Sequence, residues 1–263
     1  MRKLVLSIIL MGFMTSQSCM AGEKGQFRRI NKSSDWELKM FDNCTQDWTQ
    51  QWFMDGLLAT VEHSDKGMDF SAGPVNRNDA HHAVLWTKQS FKGDIKLEYN
   101  FTRTDSQLVN VNILYIQASG LEKEGFGKDI SQWNAYREVP TMSKYYYNMD
   151  ALHISYAAFD MVNDDPEADY IRVRKYPAKM NEFGKTDLKP AFFETGLFKT
   201  GVSYAITVIK TGSKLYFEVE GDNDKQLFSW DLTEDQQVNE GRIGLRHMFT
   251  RSSMYSDFKV YTK

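Results

Sequence analysis

Cysteine is nearly absent. Cys19 and Cys44 are the only two in 263 residues, which excludes a disulfide-stapled scaffold and a cysteine-based metal site. Proline is scarce at 5 residues, and the chain lacks the composition of a disordered one. No apolar run reaches the ~20 residues that a membrane-spanning helix needs. Basic residues are not in excess: the formal charge is −3, so the footprint of a nucleic-acid binder is missing. Gly-x-Ser-x-Gly does not occur, nor does a glycine-rich phosphate loop. His-x-x-x-His is also absent, and the adjacent His81 and His82 point to opposite faces of a strand. That argues against a catalytic zinc. Helical periodicity is missing over any long window.

What is present is aromatic and alternating. The chain has 41% hydrophobic residues, with Phe 17, Tyr 13 and Trp 6, enough for a sizeable core. Residues 1–14 begin with Arg2 and Lys3, followed by a short apolar run and then small polar residues. This pattern predicts a secretory signal. Two exits from it compete. Ser16-Gln-Ser-Cys19 is similar to a bacterial lipobox, which would make Cys19 a lipidated first residue and tether the protein to the outer membrane. It departs from that pattern at Ser16, where an aliphatic residue is usual. The alternative is ordinary cleavage after Ala21. Either exit predicts a periplasmic or cell-surface protein, with residues 1–21 as signal and 22–263 as one domain. Loss of Arg2 and Lys3 moves the charge from −3 to −5 (−3 − 2).

From Gln26 onward the pattern is strand after strand. In Lys96-Leu-Glu-Tyr-Asn-Phe-Thr102, Leu97, Tyr99 and Phe101 share one face. Val202–Lys210, Thr211-Gly-Ser213 and Lys214–Glu220 read as strand, turn and strand. Arg242–Met248 and Tyr255–Tyr261 read as a closing pair. Many short strands separated by turn signals predict an all-β sandwich or jelly roll. Residues 120–150 break the alternation. They form a long polar and aromatic stretch, read either as a functional loop or as a short-helix excursion packed against a sheet edge.

Two strands are chemically loaded. In Tyr147–Phe159, His153 and Ser155 share a face. In Asp169–Tyr176, Tyr170, Arg172, Arg174 and Tyr176 share a face. Arginine forks grip carboxylates and sulfates, and aromatic rings stack on sugar rings. The alternative for any one of these residues is a solvated outer face with ordinary ion-pair partners.

The run His81–Asp94, the His-Ile-Ser-Tyr-Ala-Ala-Phe159 motif, Asp169-Tyr-Ile-Arg-Val-Arg174 and the closing Gly241–Arg251 segment resemble a family of exported bacterial proteins of unknown function. The resemblance runs from about Trp36 to Lys263. It implies a concanavalin A-like jelly-roll β-sandwich of two antiparallel sheets, one of them concave, and association with polysaccharide-degrading systems. It implies no settled reaction.

Three chemistries are then open. Lyase-type β-elimination on an acidic polysaccharide needs a carboxylate neutraliser, a base and an acid. His153 is assigned as the base and Tyr170 as the acid. His82, Trp86, Asn112, Arg172, Arg174 and Tyr176 are assigned to substrate binding. A non-catalytic glycan-binding lipoprotein needs only the aromatic and arginine contacts. Glycoside hydrolysis needs two opposed carboxylates, and the Glu-x-Asp-x-x-Glu strand motif of jelly-roll glucanases is missing. The Asp160–Asp169 turn carries hard oxygen ligands of the kind that hold Ca²⁺, although a solvated acidic turn fits the same residues. The expected partner is a polysaccharide or oligosaccharide, and not a nucleic acid.

Overall fold

The computed structural model describes residues 22–222 and 224–263; the predicted signal and Cys19 lie outside them. Among the described residues, sixteen strands form two eight-stranded sheets, and every ladder within a sheet is antiparallel. Sheet one contains β1 (Glu37–Asp42), β3 (Thr60–Ser64), β4 (Gly67–Ser71), β7 (Ile95–Arg103), β12 (Ser203–Lys210), β13 (Lys214–Glu220), β14 (Lys225–Asp231) and β16 (Ser252–Thr262). Its order is β14-β13-β12-β7-β16-β4-β3, with β1 on the free half of β16. Sheet two contains β2 (Trp52–Asp55), β5 (Ala83–Thr87), β6 (Phe91–Lys92), β8 (Asn112–Gly120), β9 (Met149–Ala158), β10 (Tyr170–Tyr176), β11 (Asp187–Phe193) and β15 (Glu240–His247). Its order is β11-β10-β9-β8-β15-β5-β2, with β6 beside β15. This is the all-β two-sheet jelly roll that the alternation predicts.

The predicted closing pair does not form. β15 lies in sheet two and β16 in sheet one, because the chain between them crosses from one sheet to the other. Buried Arg251 pins that crossing. Its Nε donates to Asp105 at 3.0 Å, and its Nη1 donates to the carbonyls of Val109 and Asn110.

Leu97, Tyr99 and Phe101 fill the space between the sheets, facing Leu114, Ile154 and Leu245. Asn112 also points into this layer, where its amide donates to Ser253 Oγ at 2.8 Å. A second apolar layer lies on the outer face of sheet two. Here Trp86, Tyr115 and Tyr176 pack under Ile130, Trp133 and Tyr145. Those last three belong to the excursion over residues 120–150, which folds as a 3-10 turn (Ile130–Arg137) and helix Met142–Tyr146. Of the two readings of this segment, the short-helix excursion is the one that forms, and it covers the sheet face, not an edge. Residues 22–31 are helical and pack Phe27 on Tyr216 of sheet one.

One carboxylate clamps the excursion down. Asp55, at the end of β2, is buried and ion-paired to buried Arg137 at 2.5 Å. It also accepts from Trp86 Nε1 at 2.7 Å, Tyr145 Oη at 2.9 Å and Asn134 Nδ2. Arg137 spends its remaining N–H groups on the carbonyls of Trp133 and Ile130. Such a pair is tolerable in an apolar layer because both carboxylate oxygens and all three guanidinium nitrogens find partners.

Candidate functional site

The alternation on β9 and β10 predicts the site faces, and the register aligns them. Arg172 stands opposite Ser155, and Arg174 stands opposite His153. On the other side of β9, Tyr115 stands opposite His153 and Ile113 opposite Ser155. Directly opposed residues project to the same side, so these side chains gather on the outer face of sheet two.

A cavity of about 300 Å³ opens there, at the small end of ligand-site volumes, ~300–1,000 Å³. His153, Ser155, Tyr170, Arg172 and Arg174 line it. Its apolar walls come from Tyr146, Phe159, Phe183 and three methionines, Met142, Met161 and Met248. Helix Met142–Tyr146 thus walls the cavity on one side, and the β9–β10 connection walls it on another.

His153 is 2% exposed and both of its ring nitrogens are engaged. Nε2 lies 2.7 Å from Ser155 Oγ, and Nδ1 lies 2.7 Å from the Tyr176 hydroxyl. Burial, then the guanidiniums of Arg174, Arg172 and Arg246, push its pKa well below the ordinary imidazole range. The ring is neutral, with one nitrogen donating and the other accepting. Tyr176 is fully buried and orients His153 from behind.

The arginines are unequal. Arg174 Nη1 sits 2.6 Å from Asp187 and also donates to the Phe183 carbonyl and Thr186 Oγ1. It is held in place and largely neutralised. Arg172 is 3.9 Å from the same carboxylate and half-buried, and its Nη2 donates to Tyr170 Oη at 3.3 Å. Its Nε has no partner among the described residues. Arg246, on the same outer face, is fully buried. Its Nη2 meets His82 Nδ1 and the Pro140 carbonyl, while Nε and Nη1 have no partner among the described residues. Burial raises the Tyr170 pKa, with the Arg172 charge opposing that shift, so this phenol keeps its proton.

Four predicted binding residues, Tyr176, Trp86, Asn112 and His82, stand apart from the cavity. Tyr176 is on the predicted face but fully buried, its hydroxyl engaged by His153. The Trp86 ring is sealed beneath the excursion, stacked on Tyr115 at 5.2 Å and tied to Asp55, so it offers no face to a sugar. Asn112 faces the opposite way, between the sheets. His82 is buried against Phe249 and Arg246, and burial with the Arg246 charge lowers its pKa to about 2. The acidic turn gathers no cation cage: no group of three or more His, Cys, Asp or Glu side chains among the described residues is placed to hold a metal ion. Asp165 caps its own turn at the Glu167 N–H, and Asp169 turns inward to Thr195 and the Gly196 N–H.

Two residues important to this face were missed from sequence. Asp187 faces the arginines from β11, and Asp55 anchors the covering segment. A lone acid ending the apolar run Trp52-Phe-Met-Asp55 was the available signal for the second.

A family model described as a domain of unknown function (DUF1961) matches residues 40–260. The chain belongs to that family. No curated protein matches it. Among solved structures, it is similar to a Bacillus subtilis protein of unknown function with a galectin-like fold. That likeness has 17% identity, covers 86% of this chain and 98% of that one, and has a TM-score of 0.65. Lectin II from Ulex europaeus aligns at 7% identity over 85% of this chain and 98% of that one, TM-score 0.55. A legume lectin-like domain from Entamoeba histolytica aligns at 10% identity over 85% and 97%, TM-score 0.55. At these identities the likeness establishes the DUF1961 chain's fold: a lectin-like jelly roll.

Proposed function

We propose that this protein is an exported glycan-binding protein whose outer-face cavity holds an acidic sugar unit. The observation that carries the reading is the pair of guanidiniums, Arg172 and Arg174, on the cavity wall. Arg172 and Arg174 share one carboxylate, Asp187, and Arg174 takes the short contact. Arg172, half-buried and with only a long contact to Asp187, is left facing a cavity walled by rings and methionines. A carboxylate or sulfate on a sugar pairs with it through charge-assisted hydrogen bonds. The apolar walls suit the C–H faces of the same ring. The lectins among the fold's neighbours fit this reading, and the signal-like residues 1–21 support export, with Cys19 as the candidate lipid anchor.

Elimination at the same cavity is the second reading, favoured by Tyr170 and His153 standing beside Arg172. It has less support, because a proton acceptor with so low a pKa is a weak base for an α-proton, and both nitrogens of His153 are already engaged. One experiment separates the two. The mature chain is screened against uronate-containing and sulfated polysaccharides by affinity electrophoresis, with product absorbance followed in the near ultraviolet. Retention without unsaturated product is expected, and it is lost in Arg172→Gln. Absorbance that vanishes in His153→Ala establishes the lyase instead. Absence of both signals across the panel refutes an acidic-glycan ligand.

A further inference from the structure

We propose that Phe193 forms a second, neutral-sugar subsite beside the cavity. The ligand is then an oligosaccharide that sets its acidic unit on Arg172 and runs out over the β11 edge. This rests on the glycan-binding reading above.

β11 is the outermost strand of sheet two. Phe193 stands directly opposite Tyr170 in the β10–β11 ladder, so the two rings share the outer face, with centroids 6.2 Å apart. Tyr170 is a cavity wall and lies under the Arg172 guanidinium at 4.8 Å. Arg172, Tyr170 and Phe193 therefore form a continuous row from cavity to sheet edge. Successive strand residues point to opposite faces. Phe192 accordingly packs into the core, 4.8 Å from Phe228, and Phe193 is 66% exposed. Core packing does not require a phenyl ring there, and an exposed aromatic on an edge strand invites unwanted strand pairing. A ligand gives this exposed ring a role. Met161, exposed and on the cavity wall, extends the apolar surface at the same mouth. The ring itself specifies the unit: Phe193 offers an apolar face with no charge and no hydrogen-bonding group. A second anionic sugar would give up hydration against an apolar ring with nothing to replace it; a neutral ring face stacks without that cost.

The test is isothermal titration of the mature chain with methyl glucuronide, methyl galacturonide, and oligosaccharides of two to six units prepared from hyaluronan, pectate and alginate. Hyaluronan alternates acidic and neutral sugars; the other two are acidic throughout. Wild type, Phe193→Ala, Phe193→Tyr and Arg172→Gln are compared after their thermal unfolding is shown to match. The expected result is that alternating oligosaccharides bind about three- to tenfold more tightly than the monosaccharide uronides. Phe193→Ala loses that gain while keeping uronide affinity, Phe193→Tyr restores it, and Arg172→Gln loses both. Equal oligosaccharide affinity in Phe193→Ala and wild type overturns the subsite and leaves the cavity reading standing. So does a self-association of the wild type that Phe193→Ala abolishes without any change in glycan affinity, which would assign the ring to a second copy of the chain. Wild type that binds no uronide and no oligosaccharide here, and no sulfated polysaccharide in affinity electrophoresis, overturns both.

Discussion

Lowering the pH from 7.5 to 5.5 should strip this fold of a large part of its stability, and histidine is the reason. His82, His153 and His247 are all buried and neutral. Burial and nearby arginines hold His82 at about 2 and His247 at about 3, and push His153 well below the ordinary value. In the unfolded chain each titrates near ~6.5. The folded pKa is depressed, so below the unfolded pKa the unfolded state binds protons that the folded state refuses. The stability is present above pH ~6.5 and is lost as pH falls toward the folded values. At pH 5.5 each ring costs about 1.4 kcal/mol, and the three together about 4 kcal/mol. A domain of ordinary stability has only ~5–15 kcal/mol. The raised carboxyls of Asp69 and Asp169 act with the opposite sign, but at lower pH. Urea unfolding followed by tryptophan fluorescence at the two pH values measures the loss, and a His247→Gln variant should lose about one third less. An unfolding free energy equal at pH 7.5 and 5.5 would refute the assignment of three neutral buried rings.

Removing the clamp on the covering segment should be as costly. Asp55→Ala leaves Arg137 buried without its carboxylate, a loss of about 3–5 kcal/mol that urea titration reads directly. Trp86→Phe keeps the ring stack on Tyr115 but drops the bond to Asp55. It should cost about 1 kcal/mol and leave glycan retention unchanged, whereas reduced retention in a folded variant would return Trp86 to the binding surface. Arg172→Gln should abolish retention with little change in stability, since the side chain is half-exposed and makes only a long contact to Asp187.

The strands were legible because alternation is a property of each segment by itself. Tyr170, Arg172 and Arg174 share a face by spacing alone, as do His153 and Ser155, and those five line one cavity. Spacing does not say which face of a sheet is covered, and that is where His82, Trp86 and Asn112 went astray. Asn112 has the right chemistry on the wrong side of β8. Trp86 is on the right side, but under an excursion whose docking depends on Asp55 and Arg137, 82 residues apart in sequence. Sheet membership is equally non-local. β15 and β16 are neighbours in the chain and belong to different sheets, because the connection between them is held by Asp105, far upstream. Phe192-Phe193 carried a readable signal: one ring of an adjacent pair on an edge strand has to face out.

The most direct test is a crystal structure of the mature chain with a glycan that affinity electrophoresis shows it retains. The account predicts the sugar's carboxylate or sulfate within hydrogen-bond reach of Arg172, in the cavity beside Tyr170 and His153. Sugar bound at the strand-end loops, or on sheet one with the Arg172 cavity unchanged, would contradict it.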